Sequence, residues 1–238
     1  MALIREHPAG PGIEVLLLRR PGNASFAAGA EVFPGGSVEP ADLDPAWAEL
    51  APSGDPQGLA LGLRVAAIRE CLEEVGVLLA HRPERSAPAA AARLRSELVR
   101  VGSEAFLPGF RREGLRPALA DLVFCAHWVT PPGVAVRFDA RFFLAALPPG
   151  QEVTTVQAEE VSSWRWERPE LALTQARQGS SQVLPPTRSV LEGLAEMEST
   201  ERALAAARTS PVTRVEPRLD EITSRRYPGL DLGRLRGG

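Results

Sequence analysis

Apolar residues along this chain fall into two rhythms. Ile13 to Arg19 is a nearly continuous apolar run that reads as a strand, and Ala30 to Phe33 is a shorter strand entering Pro34-Gly35-Gly36. From Leu61 to Val75 the rhythm becomes helical. Leu63, Ala67, Cys71 and Val75 return every fourth residue with Ile68 and Leu72 beside them, which predicts one helix with a face to bury against a sheet. Pro88 to Val101 reads as a second helix with Leu94, Leu98 and Val101 as its stripe, and Phe106 to Leu119 is irregular or helical, interrupted by Pro108, Gly109 and Pro117. Leu122 to Val129, Arg141 to Ala146 and Val161 to Trp166 read as strands of the main sheet. Arg168 to Gln178 and Thr187 to Arg208, broken near Ser199, read as helices. An extended segment follows at Val212 to Leu219, and Leu230 to Gly238 reads as a flexible tail. Alternating strands and helices give an α/β or α+β class, expected as a single domain over residues 1–238 without internal repeats.

The polar side of the helix predicted over 61–75 carries the chemistry. Glu70, Glu73 and Glu74 stand at i, i+3 and i+4, so a helix puts three mutually repelling carboxylates on one side. A divalent cation relieves that repulsion, and hard oxygen donors suit magnesium or manganese. The plainer alternative is a solvated, Glu-rich surface. Arg69, four residues before Glu73, can pair with a carboxylate and hold it, and Gly76 is placed to end the helix in a left-handed conformation. Upstream, Gly35-Gly36 permits close approach of main-chain groups to a phosphate or a metal, although such a pair alone is usually a plain turn.

Gly36 and Arg69-Glu70-Cys71-Leu72-Glu73-Glu74-Val75-Gly76-Val77 together resemble the Nudix box, G-x5-E-x7-R-E-U-x-E-E-x-G-U with U apolar. The second half matches throughout. In the first half Asp42 stands where the family has Glu, and 26 residues separate it from Arg69 where the family has seven, an insertion of about 19 (26 minus 7) over roughly residues 43–61. Rich in Pro and Gly, the insertion reads as a surface loop with at most a short helical turn. The lengthened box resembles the coenzyme A diphosphatase branch of the superfamily, motif-19 type. Gly29-Ala30-Glu31-Val32-Phe33, Trp128-Val129-Thr130-Pro131, Arg137 to Leu144 and Leu184-Pro185-Pro186 are similar to that branch as well. A motif of coenzyme A-cleaving members is matched only in part, with Ser25 where that motif has Arg.

The resemblance implies a Nudix α/β/α sandwich with a mixed sheet and helical insertions, the second over about residues 85–120 and forming a lid. It implies a pyrophosphohydrolase, acting on an acid anhydride between phosphates. Mg2+ or Mn2+ would be held by Glu70, Glu73, Glu74 and the main-chain carbonyl of Gly36, with Arg69 orienting the carboxylates and Gly35-Gly36 lining the substrate. Coenzyme A or an acyl derivative is the expected substrate, giving 3′,5′-ADP and the 4′-phosphopantetheine moiety. ADP-ribose or another nucleoside diphosphate derivative is the first alternative, and an inactive nucleotide-binding sensor the second. A homodimer is compatible with the resemblance, since many members pair through sheets or termini.

Composition narrows this further. The chain has 238 residues, 44% of them hydrophobic, enough for a full core and too apolar for disorder. Net charge is −3 without a long basic run, so nucleic acid is not an expected partner. No segment reaches the ~18 apolar residues of a membrane helix, and no signal-peptide core is present, so a cytoplasmic setting without a membrane partner is expected. All 27 basic residues are Arg, a bias that points to a GC-rich, bacterial genome. Cys71 and Cys125 do not form a disulfide scaffold, and Cys71, at an apolar helix position, is expected to be a buried, inert thiol.

Four other features each have a functional and a plain explanation. Glu159 and Glu160 precede a strand in a loop that approaches the metals in many Nudix enzymes; Glu160 is the candidate general base, against a solvated loop charge. Arg137 and Arg141 flank Asp139 and either pair with it or contact the 3′-phosphate of coenzyme A. His127 reads as a packed strand histidine. Trp164 and Trp166 share a strand face, for packing or for stacking on a base.

Overall fold

A computed structural model describes residues 1–24, 27–51, 59–81, 87–133, 136–153 and 161–218. In chain order the elements are β1 (Ala2–Glu6), β2 (Ile13–Arg19), β3 (Ala30–Val32), α1 (Leu59–Val75), β4 (Ala80–His81), α2 (Ala87–Val101), α3 (Phe106–Glu113), β5 (Arg116–Pro117), β6 (Val123–Val129) and β7 (Asp139–Ala146). They continue with β8 (Ser163–Glu167), α4 (Pro169–Gln178), β9 (Gln182–Val183), α5 (Pro185–Leu194), α6 (Thr200–Thr209) and β10 (Arg214–Val215). The chain divides into two interleaved units: Pro34–Leu122 with Leu147–Ser162 and Met1, and the remainder. The expected tail over 230–238 and much of the expected loop over 43–61 lie outside the described residues.

The second unit holds the mixed sheet, ordered β10-β6-β7-β1-β2-β3-β9, with β8 pairing β2. The β1–β7, β3–β9 and β6–β10 pairs are parallel; β1–β2, β2–β3, β2–β8 and β6–β7 are antiparallel. Alternate residues of each strand, Ala2 and Ile4 in β1 and Ile13, Val15 and Leu17 in β2, with Ile4 opposite Val15, form a core with Ala172, Leu173, Val190, Leu191, Leu194 and Ala203 of α4, α5 and α6. Leu3, Leu16 and Leu18, the residues between them, are buried too, which is why β2 reads as a continuous apolar run and not as an alternation. The break predicted near Ser199 is real: its side chain accepts from Arg202 N–H at 3.2 Å and starts α6. Sequence reading did not register β1, whose five residues carry no period of their own and are fixed by pairing with β2 and β7.

The first unit is built around α1. Of the expected positions Ile68, Cys71, Leu72 and Val75 are buried, while Leu63 and Ala67 are only partly so; Leu61, Val65 and Ala66 are covered as well. The helix buries more than one stripe, so its N-terminal half departs from the single-stripe pattern. On α2, Ala90, Ala91, Leu94 and Leu98 are buried, but Val101 is 49% exposed, because the helix stops there and Gly102 turns the chain away at φ 97°.

The box insertion is not a bare surface loop. Pro40–Leu43 and Pro45–Glu49 are 3-10 turns, and Trp47, 1% exposed, packs against Phe106 and Phe110 of α3 with ring centroids 5.3 and 5.2 Å away. Phe106 and Phe110 meet edge to face at 4.8 Å. Gly109 lets α3 approach α2, since a Cβ there would collide with Leu94. The two insertions therefore share a small aromatic core. Trp47→Ala should destabilise this unit by about 3–5 kcal/mol, the range for emptying a buried aromatic site, read from the midpoint of urea unfolding.

Candidate active site

Arg69 is a buried, multiply bonded cation in the first unit. It is 1% exposed. Its Nε and Nη2 donate to Asp42 Oδ1 and Oδ2, both at 2.9 Å, a bidentate fork. Nη2 also donates to the Ser37 carbonyl at 2.9 Å, and Nη1 donates to Glu73 Oε2 at 2.8 Å and pairs with Glu70 Oε1 at 2.9 Å. Four hydrogen bonds and the Glu70 ion pair thus surround the guanidinium. Burial alone would weaken its hold on its proton. The Asp42 hydrogen bond, with the charges of Glu70, Asp42 and Glu73, outweighs burial, so Arg69 stays cationic, its pKa raised.

Asp42 is 2% exposed and also accepts Glu39 N–H at 2.8 Å. It is therefore the anchor of Arg69. Sequence reading left its role open and paired Arg69 with a carboxylate of the same helix. That i,i+4 pair, Arg69–Glu73, is present as well.

Glu70 and Glu74 turn toward the glycine loop. Glu74 Oε2 accepts Gly35 N–H at 2.8 Å, and Glu74 is only 7% exposed. A Cβ on Gly36 would lie 2.5–2.7 Å from the Glu70 carboxylate, so only glycine leaves room for it. Glu73 is drawn to Arg69 instead. Burial raises its pKa; Arg69 pulls it back, Glu39 and Asp42 push it up, and the net shift is upward. Among the described residues no group of three or more His, Cys, Asp and Glu side chains is arranged to hold a metal ion. Glu70 and Glu74 reach the loop, and Glu70 shares Arg69 with Glu73.

The family model of the NUDT19 Nudix domain matches residues 51–191. This chain belongs to that Nudix family. It is 29% identical to the chicken (Gallus gallus) acyl-coenzyme A diphosphatase NUDT19 over 75% of this chain and 60% of that protein. The human protein of the same name is 30% identical over 75% of this chain and 59% of its own length, so this chain spans about 60% of these curated relatives. A Nudix hydrolase of known structure from Alicyclobacillus acidocaldarius superposes with a TM-score of 0.71 at 30% identity, over 86% of this chain and 92% of that one.

The Nudix box is therefore split here by an insertion, and the structure rejoins it: Ser37 and Asp42 from the first half and Arg69 from the second meet in one network. The other expected site residues are dispersed. Glu160 lies outside the described residues. Arg141 pairs with Asp139 at 3.0 Å, as one of its two expectations had it, whereas Arg137 does not pair with Asp139. It donates to the Thr130 carbonyl at 3.0 Å and to Glu216 at 3.1 Å, while Asp139 takes His127 at 2.6 Å and Arg141. Asp139 is held below its ordinary pKa by the His127 hydrogen bond first, against a small burial effect, and then by Arg141.

Cys71 is buried, and burial pushes its thiol up to about 12, in keeping with an inert packed residue. Trp166 carries the Arg5 guanidinium over its ring at 4.5 Å. Sequence reading missed Glu39. Its one signal was local: Glu39-Pro40-Ala41-Asp42 has the spacing and the Pro of a helical N-terminus.

Asp42→Ala removes one partner of a buried pair. It should cost about 3–5 kcal/mol in unfolding free energy, with Asp42→Asn costing less because the amide still accepts from Arg69; paired denaturant curves check both. Gly36→Ala should displace the Glu70 carboxylate while leaving the urea-unfolding midpoint nearly unchanged, which a structure and denaturant curves of the variant would show.

Proposed function

We propose that this chain hydrolyses a pyrophosphate bond in a nucleoside diphosphate derivative with Mg2+ or Mn2+, and that the substrate is coenzyme A or an acyl-coenzyme A. The observation that carries the reading is the meeting of Glu70 and Glu74, one helical turn apart, at Gly35-Gly36. All the donors there are oxygen, the set that suits these cations. Glu70, Glu74 and the Gly36 carbonyl would hold the metal, with Glu73 bound or oriented through Arg69. The metal, when bound, neutralises phosphate charge and lowers the pKa of water. The chain's own part is positional. Arg69 Nη1 holds one oxygen of Glu70 and one of Glu73, and Gly35 N–H fixes one oxygen of Glu74.

In the reaction H2O adds across the P–O–P bridge. Its oxygen joins one phosphorus while the bridging oxygen leaves on the other, giving 3′,5′-ADP and (acyl-)4′-phosphopantetheine. The names of the chicken and human relatives support this substrate class. Glu160 as base rests on sequence position alone, and contact of Arg137 and Arg141 with the 3′-phosphate of coenzyme A remains part of the same proposal. A bacterial source accords with the all-arginine composition, and among the described residues no helix is long and apolar enough to cross a membrane.

Purified protein with either metal, offered coenzyme A, ADP-ribose, NADH and diadenosine polyphosphates in parallel, should release 3′,5′-ADP preferentially. Turnover of ADP-ribose alone would reassign the substrate, and tight binding without turnover would make the chain a nucleotide sensor. Glu74→Gln, which keeps an acceptor for Gly35 N–H, should lower kcat more than tenfold with the melting temperature retained. Mn2+ at 100 times its Kd should stabilise the wild type by about 2.7 kcal/mol and that variant far less, as thermal melts would show.

A further inference from the structure

We propose that Arg95, carried by the helical insertion, is a positioning residue that sets where α1 presents Glu73 and Glu74; this rests on the reading of those glutamates as part of the metal-binding set. α1 ends at Val75, and Gly76, at φ 75°, closes the last helical bond onto the Leu72 carbonyl at 3.0 Å. The chain then leaves the helix axis, and Leu78 N–H goes to Gln151 Oε1 at 2.8 Å. The next carbonyl, that of Glu73, accepts from Arg95 Nε at 2.9 Å. A cation at that point faces the negative end of the helix and fills one of its terminal acceptors.

Glu73 is thereby held between two arginines, by Arg69 through its carboxylate and by Arg95 through its main chain. Glu74 follows it directly, with its carboxylate on Gly35 N–H. A shift of this turn moves both side chains. Arg95 is delivered to the spot by a fixed helix, since Leu94 and Leu98 beside it are buried. Burial lowers the Arg95 pKa, so the fold keeps this charge there at a cost.

The insertion reaches the site a second time just beyond α2. Ser103 Oγ donates to the Glu39 carboxylate, and Glu39 N–H donates to Asp42, the anchor of Arg69. A segment that resembled only a lid is thus tied to both the end of the acidic helix and its central arginine.

The test compares wild type, Arg95→Ala, Arg95→Lys and Glu74→Gln by Mn2+ binding followed with electron paramagnetic resonance, by steady-state hydrolysis of coenzyme A, and by melting temperature. Arg95→Ala should weaken Mn2+ binding about tenfold and lower kcat by a similar factor while KM for coenzyme A stays within twofold. Arg95→Lys, whose ammonium can still donate to the Glu73 carbonyl, should recover most of both. Wild-type Mn2+ affinity and kcat in Arg95→Ala, alongside loss of both in Glu74→Gln, would overturn the proposal and leave the metal site standing. Wild-type Mn2+ binding in Glu74→Gln would sink the metal reading, and this proposal with it. Should Arg95→Ala not fold, Arg95→Met, which keeps the stem and removes the donor, is read in its place by the same outcomes.

Discussion

A guanidinium withdrawn from water has to be surrounded by acceptors, and the acceptors around Arg69 come from both sides of a long interruption in the chain. Ser37 and Asp42 precede the insertion; Glu70 and Glu73 follow it. Stretching the connection from seven to 26 residues adds only about 1 kcal/mol of closure entropy, at (3/2)RT times the logarithm of the length ratio. Leaving one member of a buried ion pair without its partner costs about 3–5 kcal/mol. The second magnitude is the larger, so the two halves of the box stay together whatever lies between them. That inequality explains how a motif defined by tight spacing survives an interruption of this size.

The inserted residues have also acquired burial of their own. Trp47 sits between Phe106 and Phe110, and Arg111 pairs with Glu49 at 2.5 Å on the same side, so the first insertion rests on the second. Apolar contact at Trp47 and polar contact through Glu39 and Ser103 act on neighbouring stretches of one connection. An exposed ion pair such as Arg111–Glu49 contributes little by comparison with the buried rings. The insertion is thereby held near the glycine loop by packing, with hydrogen bonds fixing its register.

What could be read from the chain was whatever a short window encodes. The acidic helix, the glycine pair, the sheet strands β2 and β6 and the break at Ser199 each follow from local spacing or local turn chemistry, and the family resemblance rode on the same windows. The Asp42–Arg69 fork was out of reach because its partners are 27 positions apart and Asp42 departs from the family residue. The face of α1 was found in its C-terminal half, at Ile68, Cys71, Leu72 and Val75, but not at Leu63 and Ala67, because a helix buried on more than one stripe has no single period to follow. Of the two expectations for Arg137, pairing with Asp139 rested on closeness in sequence, but the fold gives it Glu216, 79 positions away. Arg95 and Ser103 carry no motif at all; only the fold brings them to Glu73 and Glu39.

Stability alone does not account for a network of this kind. A buried ion pair seldom outperforms a well-packed apolar substitute, since desolvation of both charges consumes most of their attraction. Around Arg69 the imbalance is sharper still, with Asp42, Glu70 and Glu73 all directed at a single cation and Glu73 shifted upward in consequence of its burial and its neighbours. Such an arrangement leaves a net negative charge in a place the protein could have filled with leucine. What the network gives in exchange is geometry: each carboxylate has one direction in which it is satisfied, so the pair at Gly35-Gly36 is presented in a fixed relation before anything binds. Excess negative charge held rigidly beside a main-chain loop is a poor way to build a core and a good way to meet a cation, which is why the site is better understood through binding than through folding.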